Sequence, residues 1–263
     1  MKNTTRLLVS TALLLSLVSF ARAAALDSWS GANTDSDTDH PAVTSGSKSL
    51  SATLPAGSTL DAIGDTLTFS GQVTFTFAGT PNTGSGNFRW GLFNSNDSTN
   101  NNGWLGYMVG NRPDNSTYLY EKNTGTGSWN ATSSDGWTRI LTSITGGNSG
   151  GVEIAAGSYN LMLSLKREAD GLLVNWSLIG TGGVSSYSLI GSWLDTSPVT
   201  LAYDRIGISI TSNFGQSSAT FADLSMVKTS AIPEPSATVL FATLCILLAT
   251  VVMKRIRHCR QSC

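Results

Sequence analysis

Between residues 66 and 77 the chain reads TLTFSGQVTFTF, with Leu67, Phe69, Val73, Phe75 and Phe77 on one parity and Thr, Ser and Gln on the other. Alternation of period two over such a length predicts a strand with one buried face. Tyr159, Leu161, Leu163 and Leu165 repeat the pattern, as do Leu172, Val174, Trp176 and Leu178. The polar KREADG between these two runs ends in Asp170-Gly171, a favoured hairpin dipeptide. Ile206, Ile208 and Ile210 alternate again. Shorter runs predict strands at 50–54, 87–93, 104–109, 117–122, 138–144, 186–190 and 219–227. The intervening stretches, such as NSNDSTNNN at 94–102 and GGNSGG at 146–151, are loop compositions, and nothing before residue 237 carries a helical period.

About a dozen short strands with turn signals between them predict an all-β, two-sheet antiparallel β-sandwich, placed at residues 49–230. No repeat period suggests a propeller or solenoid. The Asp/Ser-rich segment 24–48 reads as a polar lead-in that could hold an edge strand. Phe88-Arg89-Trp90-Gly91-Leu92-Phe93-Asn94, Gly106-Tyr107 and the 159–179 hairpin give the chain its resemblance to the concanavalin-like jelly roll. That fold is shared by lectins, laminin-G-type modules and some glucanases.

Both ends break the pattern. Lys2 and Arg6 precede the apolar run 7–20, and Ala21-Arg22-Ala23 offers a small-x-small cleavage site. Residues 1–23 therefore read as a signal peptide with an apolar helix, cut after Ala23 or after Ala25, the alternative being an uncleaved anchor. From Ala237 to Met253 there is no charge, proline or glycine, which is enough for a short transmembrane helix. Lys254, Arg255, Arg257 and Arg260 follow in the basic tail 254–263 and would stay cytoplasmic, leaving the domain upstream outside. Between domain and span, residues 231–236 hold Pro233-Glu234-Pro235. The two prolines keep this linker out of helix and accessible. Tripeptide, apolar span and basic cluster in that order resemble the PEP-CTERM sorting signal. The resemblance implies processing by an exosortase-type membrane protease, a transient inner-membrane stage, and delivery to the cell surface or a polysaccharide matrix. An ordinary anchor with a proline-containing stalk is the alternative.

Charge sharpens this picture. Within 24–232 nine Lys/Arg face sixteen Asp/Glu, an acidic balance that disfavours nucleic acid. All three cysteines, Cys245, Cys259 and Cys263, fall in the tail, so the exported part has no disulfide. Glu121, Glu153 and Glu168 each lack the companion acid of the E-x-D-x-x-E arrangement that jelly-roll glucanases use, and His40 is the domain's one histidine. The glucanase motif and Ser-His-Asp chemistry thus lack their parts, and the chain reads as a non-enzyme, a glycoside hydrolase using another pair among the thirteen aspartates of 24–232 being the lesser alternative. Asp35, Asp37 and Asp39 imitate half of a calcium loop, but His40 and Gly46 stand where its glycine and bidentate glutamate belong. No cofactor is expected, calcium at these three carboxylates being the weak exception. Trp104, Trp129, Trp137 and Trp193 flank polar, glycine-rich stretches. Aromatic faces at loops are what sugar rings stack on, so these four are the candidate glycan contacts; sealing the ends of the sandwich is the competing role. The exported domain is expected to bind carbohydrate, or alternatively to serve as a structural or adhesive matrix protein without a defined ligand.

Overall fold

The computed structural model describes residues 21–231 apart from 27–28, 32–39, 55–57, 82–85, 99–101, 114–116, 125, 131–135, 141–144 and 149–152. Residues 1–20 of the expected signal peptide 1–23, Pro233-Glu234-Pro235, the span 237–253, the basic tail and the acidic trio Asp35, Asp37 and Asp39 lie outside the described residues, while Ala21-Arg22-Ala23 stands in a strand. Among the described residues are fifteen strands: β1 (Ala21–Ala25), β2 (Trp29–Gly31), β3 (Ala42–Thr44), β4 (Lys48–Thr53), β5 (Thr66–Phe77), β6 (Phe88–Asn94), β7 (Leu105–Asn111), β8 (Thr117–Lys122), β9 (Trp137–Ile140), β10 (Thr145–Asn148), β11 (Gly157–Glu168), β12 (Gly171–Gly180), β13 (Ser188–Asp195), β14 (Arg205–Ile210) and β15 (Gln216–Thr229). They form two antiparallel sheets. One runs β1-β15-β5-β11-β12-β13-β10 with β3 also on β15, and the other runs β2-β4-β14-β6-β7-β8-β9. No described helix is long and apolar enough to cross a membrane.

The alternating residues read from the sequence line the space between the sheets. Leu67, Phe69, Val73 and Phe75 of β5 and Leu161, Leu163 and Leu165 of β11 meet Phe88, Trp90, Leu92, Ile206, Ile208 and Ile210 from the facing sheet in one core. The Trp90 indole donates across it to the carbonyl of Met162 (3.1 Å). Strand β15 keeps its apolar side inward only by a bulge. Pairing with β5 slips between Ala222 and Ser225, with Asp223 left-handed at φ 53°. The extra residue moves inward parity from Phe221 to Leu224. Gly71 opposite leaves the room, since a Cβ there would lie 2.5 Å from the Leu224 side chain.

Residues 24–48 do more than lead in. Leu26, Trp29 and Val43 are buried in the core, and β2 and β3 join the two sheets. Each strand is three residues long, too short for a periodicity to stand out amid Asp, Ser and Gly.

Candidate functional site

The seven-stranded sheet is apolar on its inner side and elaborately furnished on its outer one. In β8 the sequence TYLYEK places Leu119 inward and Tyr118, Tyr120 and Lys122 outward. Across the ladders the outward residues form rows. Ser209, Arg89, Gly110 and Tyr118 make the first, Gly207, Gly91, Met108, Tyr120 and Arg139 the second, and Arg205, Phe93, Gly106, Lys122 and Trp137 the third.

Over the second and third rows lies an aromatic layer separate from the main core: Phe93, Trp104, Met108 and Trp129, with Trp137 packed against it. The rings of Trp104 and Trp129 stack at 5.4 Å and 13°. Trp129 settles onto Gly207, where an added Cβ would come within 2.4 Å of its ring. The segment carrying it is tied down by Asn130, whose carbonyl accepts from Arg89 Nη1 (2.9 Å) and whose amide donates to Ser49 Oγ (2.8 Å). From below, the fully buried Lys122 ammonium donates to the carbonyls of Asn102 (3.2 Å), Thr124 (3.0 Å) and Thr126 (2.6 Å). A fixed positive charge thus holds together the two segments that carry Trp104 and Trp129.

The four tryptophans expected to meet sugar therefore divide. Trp104 and Trp129 are 4 % and 1 % exposed, and they present no free face to a sugar ring. Burial against Phe93 and the glycine floor, with about 150–250 Å² of apolar surface per aromatic at stake, outweighs display at a loop. Trp137 is half-buried at the edge of the same cluster, its Nε1 donating to the Ser128 carbonyl (3.1 Å). Trp193 belongs to the other sheet, packed against the main core and 6.4 Å from the Tyr107 ring.

The first row ends in a cationic and phenolic cluster. The Arg112 and Arg139 guanidiniums lie 5.1 and 4.9 Å from the centroid of the Tyr118 ring, and Tyr118 is 6.1 Å from Tyr120. Sequence reasoning missed this group. Its signal was the charged Arg89 inside FRWGLF, a strand buried on both sides, and the outward parity of Tyr118, Tyr120 and Lys122.

It also missed a carboxyl pair. Glu121, solitary in the sequence, points inward from β8 and hydrogen-bonds Asp195 at the end of β13. Burial first, then the charge of Asp195, pushes the Glu121 carboxyl up to about 7. Asp195 also accepts from the Tyr107 hydroxyl (2.5 Å) and the Ser197 amide (2.8 Å). Tyr107 and Tyr203 both lie close to this pair. No trio of His, Cys, Asp or Glu placed to hold a metal ion occurs among the described residues.

No protein-family model and no curated protein matches the chain. Solved structures do resemble it. Basic winged bean lectin with Tn antigen is 7 % identical, with 82 % of this chain and 100 % of that one covered at a TM-score of 0.51. Winged bean acidic lectin complexed with methyl-α-D-galactose is 6 % identical, with 81 % and 99 % covered at 0.50. The Emp46p carbohydrate recognition domain is 16 % identical, with 78 % and 89 % covered at 0.45. At these identities the likeness is one of fold: the described chain is a lectin-like, two-sheet jelly roll.

Proposed function

We propose that this is an exported, non-catalytic carbohydrate-binding protein whose C-terminal segment is a PEP-CTERM sorting signal. The ligand is extracellular polysaccharide, and an exosortase-type protease acts on Pro233-Glu234-Pro235 while the span 237–253 and Lys254, Arg255, Arg257 and Arg260 hold the precursor in the inner membrane. The observation that carries the binding reading is the layer on the outer face of the seven-stranded sheet. Trp104 and Trp129 form a rigid underlayer, and Trp137, Tyr118, Arg112 and Arg139 stand at its accessible margin. Aromatic rings beside fixed hydrogen-bond donors are what a polysaccharide recognises, through the apolar faces and hydroxyl edges of its sugars. Fold alone does not assign function, but the winged bean structures show sugars held by proteins of this fold.

A full-length preparation in detergent should bind the host's exopolysaccharide saturably. Trp137→Ala should weaken that binding at least about tenfold, the loss of roughly one good stacking contact, with circular dichroism unchanged. No saturable binding across a broad glycan panel would remove the reading. One observation favours the matrix alternative in that event. The outer face of the eight-stranded sheet carries hydroxyl pairs, Thr68–Ser164 (3.0 Å), Thr74–Ser158 (2.7 Å) and Thr76–Ser218 (2.7 Å), polar groups suited to hydration.

A further inference from the structure

We infer that the cluster of Arg89, Arg112, Arg139, Tyr118 and Tyr120 is an anion subsite, and that the polysaccharide bound here carries acidic groups, either uronic-acid carboxylates or sulfate esters. The inference rests on the carbohydrate-binding reading and narrows it to a charged class of ligand.

Three of the nine basic side chains in 24–232 gather at one end of the sheet's outer face, in a segment with sixteen acidic residues. The ion pairs among the described residues are Lys166–Glu168, Arg205–Asp204 and Lys228–Asp61. None of these involves the three arginines. A guanidinium without a carboxylate among the described residues is a cost, and it is greatest at Arg89, which is only 7 % exposed. Its Nη1 is engaged by the Asn130 carbonyl, while its Nε and that of Arg112 are buried without a partner among the described residues. Burial, and to a smaller degree the charge of Arg112, lowers the Arg89 pKa, with Tyr120 acting in the opposite direction. Two desolvated Nε donors thus lack an acceptor among the described residues, and the exposed Arg139 guanidinium stands beside them.

The surroundings are built to keep them in place. Gly110 separates Arg89 from Tyr118 across the ladder, and a Cβ there would stand 3.1 Å from Tyr120 and 3.7 Å from the Arg89 stem. Arg139 pairs in register with Tyr120. Arg112 and Arg139 are both drawn to the Tyr118 ring by cation–π attraction, which fixes two long side chains that would otherwise lose entropy on binding. Planar guanidinium forks match the two oxygens of a carboxylate or the oxygens of a sulfate, and charge-assisted bonds of this kind are about twice as strong as neutral ones. Bulk electrostatics cannot substitute, since the domain's net charge repels a polyanion.

The test uses the full-length protein with three polymers: dextran as the neutral control, polygalacturonate for carboxylates and dextran sulfate for sulfate esters. Wild type should bind at least one acidic polymer about tenfold or more tighter than dextran, the yield of one charge-assisted contact. That preference should shrink as salt rises. Which acidic polymer is preferred identifies the group. The double variant Arg112→Gln/Arg139→Gln should bring acidic binding down to the dextran level without altering the circular dichroism. Arg205→Gln, the same charge change at a paired arginine on the same face, should not. Equal binding of neutral and acidic polymers, or equal losses from Arg205→Gln, would overturn the anion subsite while leaving carbohydrate binding intact. Binding of no polymer and no glycan would overturn both.

Discussion

Glu121 illustrates how a single inward side chain acquires a property its neighbours in sequence could not supply. Its raised pKa, about 7 against an ordinary 4.5, means the folded protein holds a proton that the unfolded chain has released between those values. Stability from this group is complete below about pH 4.5 and declines as pH rises through 7, because the folded state is then forced to bury charge. Replacing it with Gln, which keeps the hydrogen-bonding shape but cannot ionise, should remove that decline. The expected result is a melting temperature for Glu121→Gln that gains on wild type between pH 5 and pH 8. A difference independent of pH would show that the fold does not raise the Glu121 carboxyl. Lys122 is the complementary case, a buried ammonium compensated by three carbonyl dipoles instead of a carboxylate.

At the scale of elements, the outer aromatic layer depends on what is missing from strand β14. Ile206 and Ile208 face the core, and Gly207 between them is a gap into which Trp129 fits. Gly207→Ala would place a methyl against the indole ring at 2.4 Å and push the 126–130 segment off the sheet. Overpacking of this kind costs about 1–3 kcal/mol, and the ordered near-UV signal of the Trp104–Trp129 stack should weaken with it. An unchanged near-UV spectrum would mean that the segment does not rest on this glycine. The bulge at Asp223 obeys the same logic: a strand keeps a buried side by adding a residue where its partner offers Gly71.

For the whole molecule, the described sandwich and the tail answer different questions. The sandwich offers surfaces; the proposed sorting signal decides where they are displayed. Glu234 is the discriminating residue, since the sorting proposal gives its carboxylate a part in recognition and the anchor alternative gives it none. If 231–263 is a plain anchor, Glu234→Ala is neutral, a solvated change within about half a kcal/mol. If it is a sorting signal, the variant accumulates with its full tail in the inner membrane while wild type is trimmed and reaches the surface. Immunoblots of membrane and surface fractions from the native host separate these outcomes, and retention of the C-terminal residues by surface-located wild type would defeat the sorting proposal.

The longer strands and their inward faces were legible in the sequence, because period-two alternation is a local consequence of the extended backbone and needs no partner to be read; β1 to β3 were not, nor was β10, which runs through part of the glycine-rich stretch read as a loop. Leu67, Phe69, Ile206 and Ile208 point where their parity places them, and the 159–179 hairpin pairs in register around Asp170-Gly171. Long-range packing chose how the chain shuttles between sheets, taking β4, β6 to β9 and β14 to one and β5, β10 to β13 and β15 to the other. That choice places Glu121 beside Asp195, 74 positions away in the chain, and sets Arg89 beside Arg112, Tyr118 and Arg139 from three other segments. It also sent Trp104 and Trp129 under cover when their polar flanks suggested display. Flanking composition reports how well a segment is solvated on average. Whether one indole is wet or dry depends on whether a glycine from a distant strand leaves it a place to go.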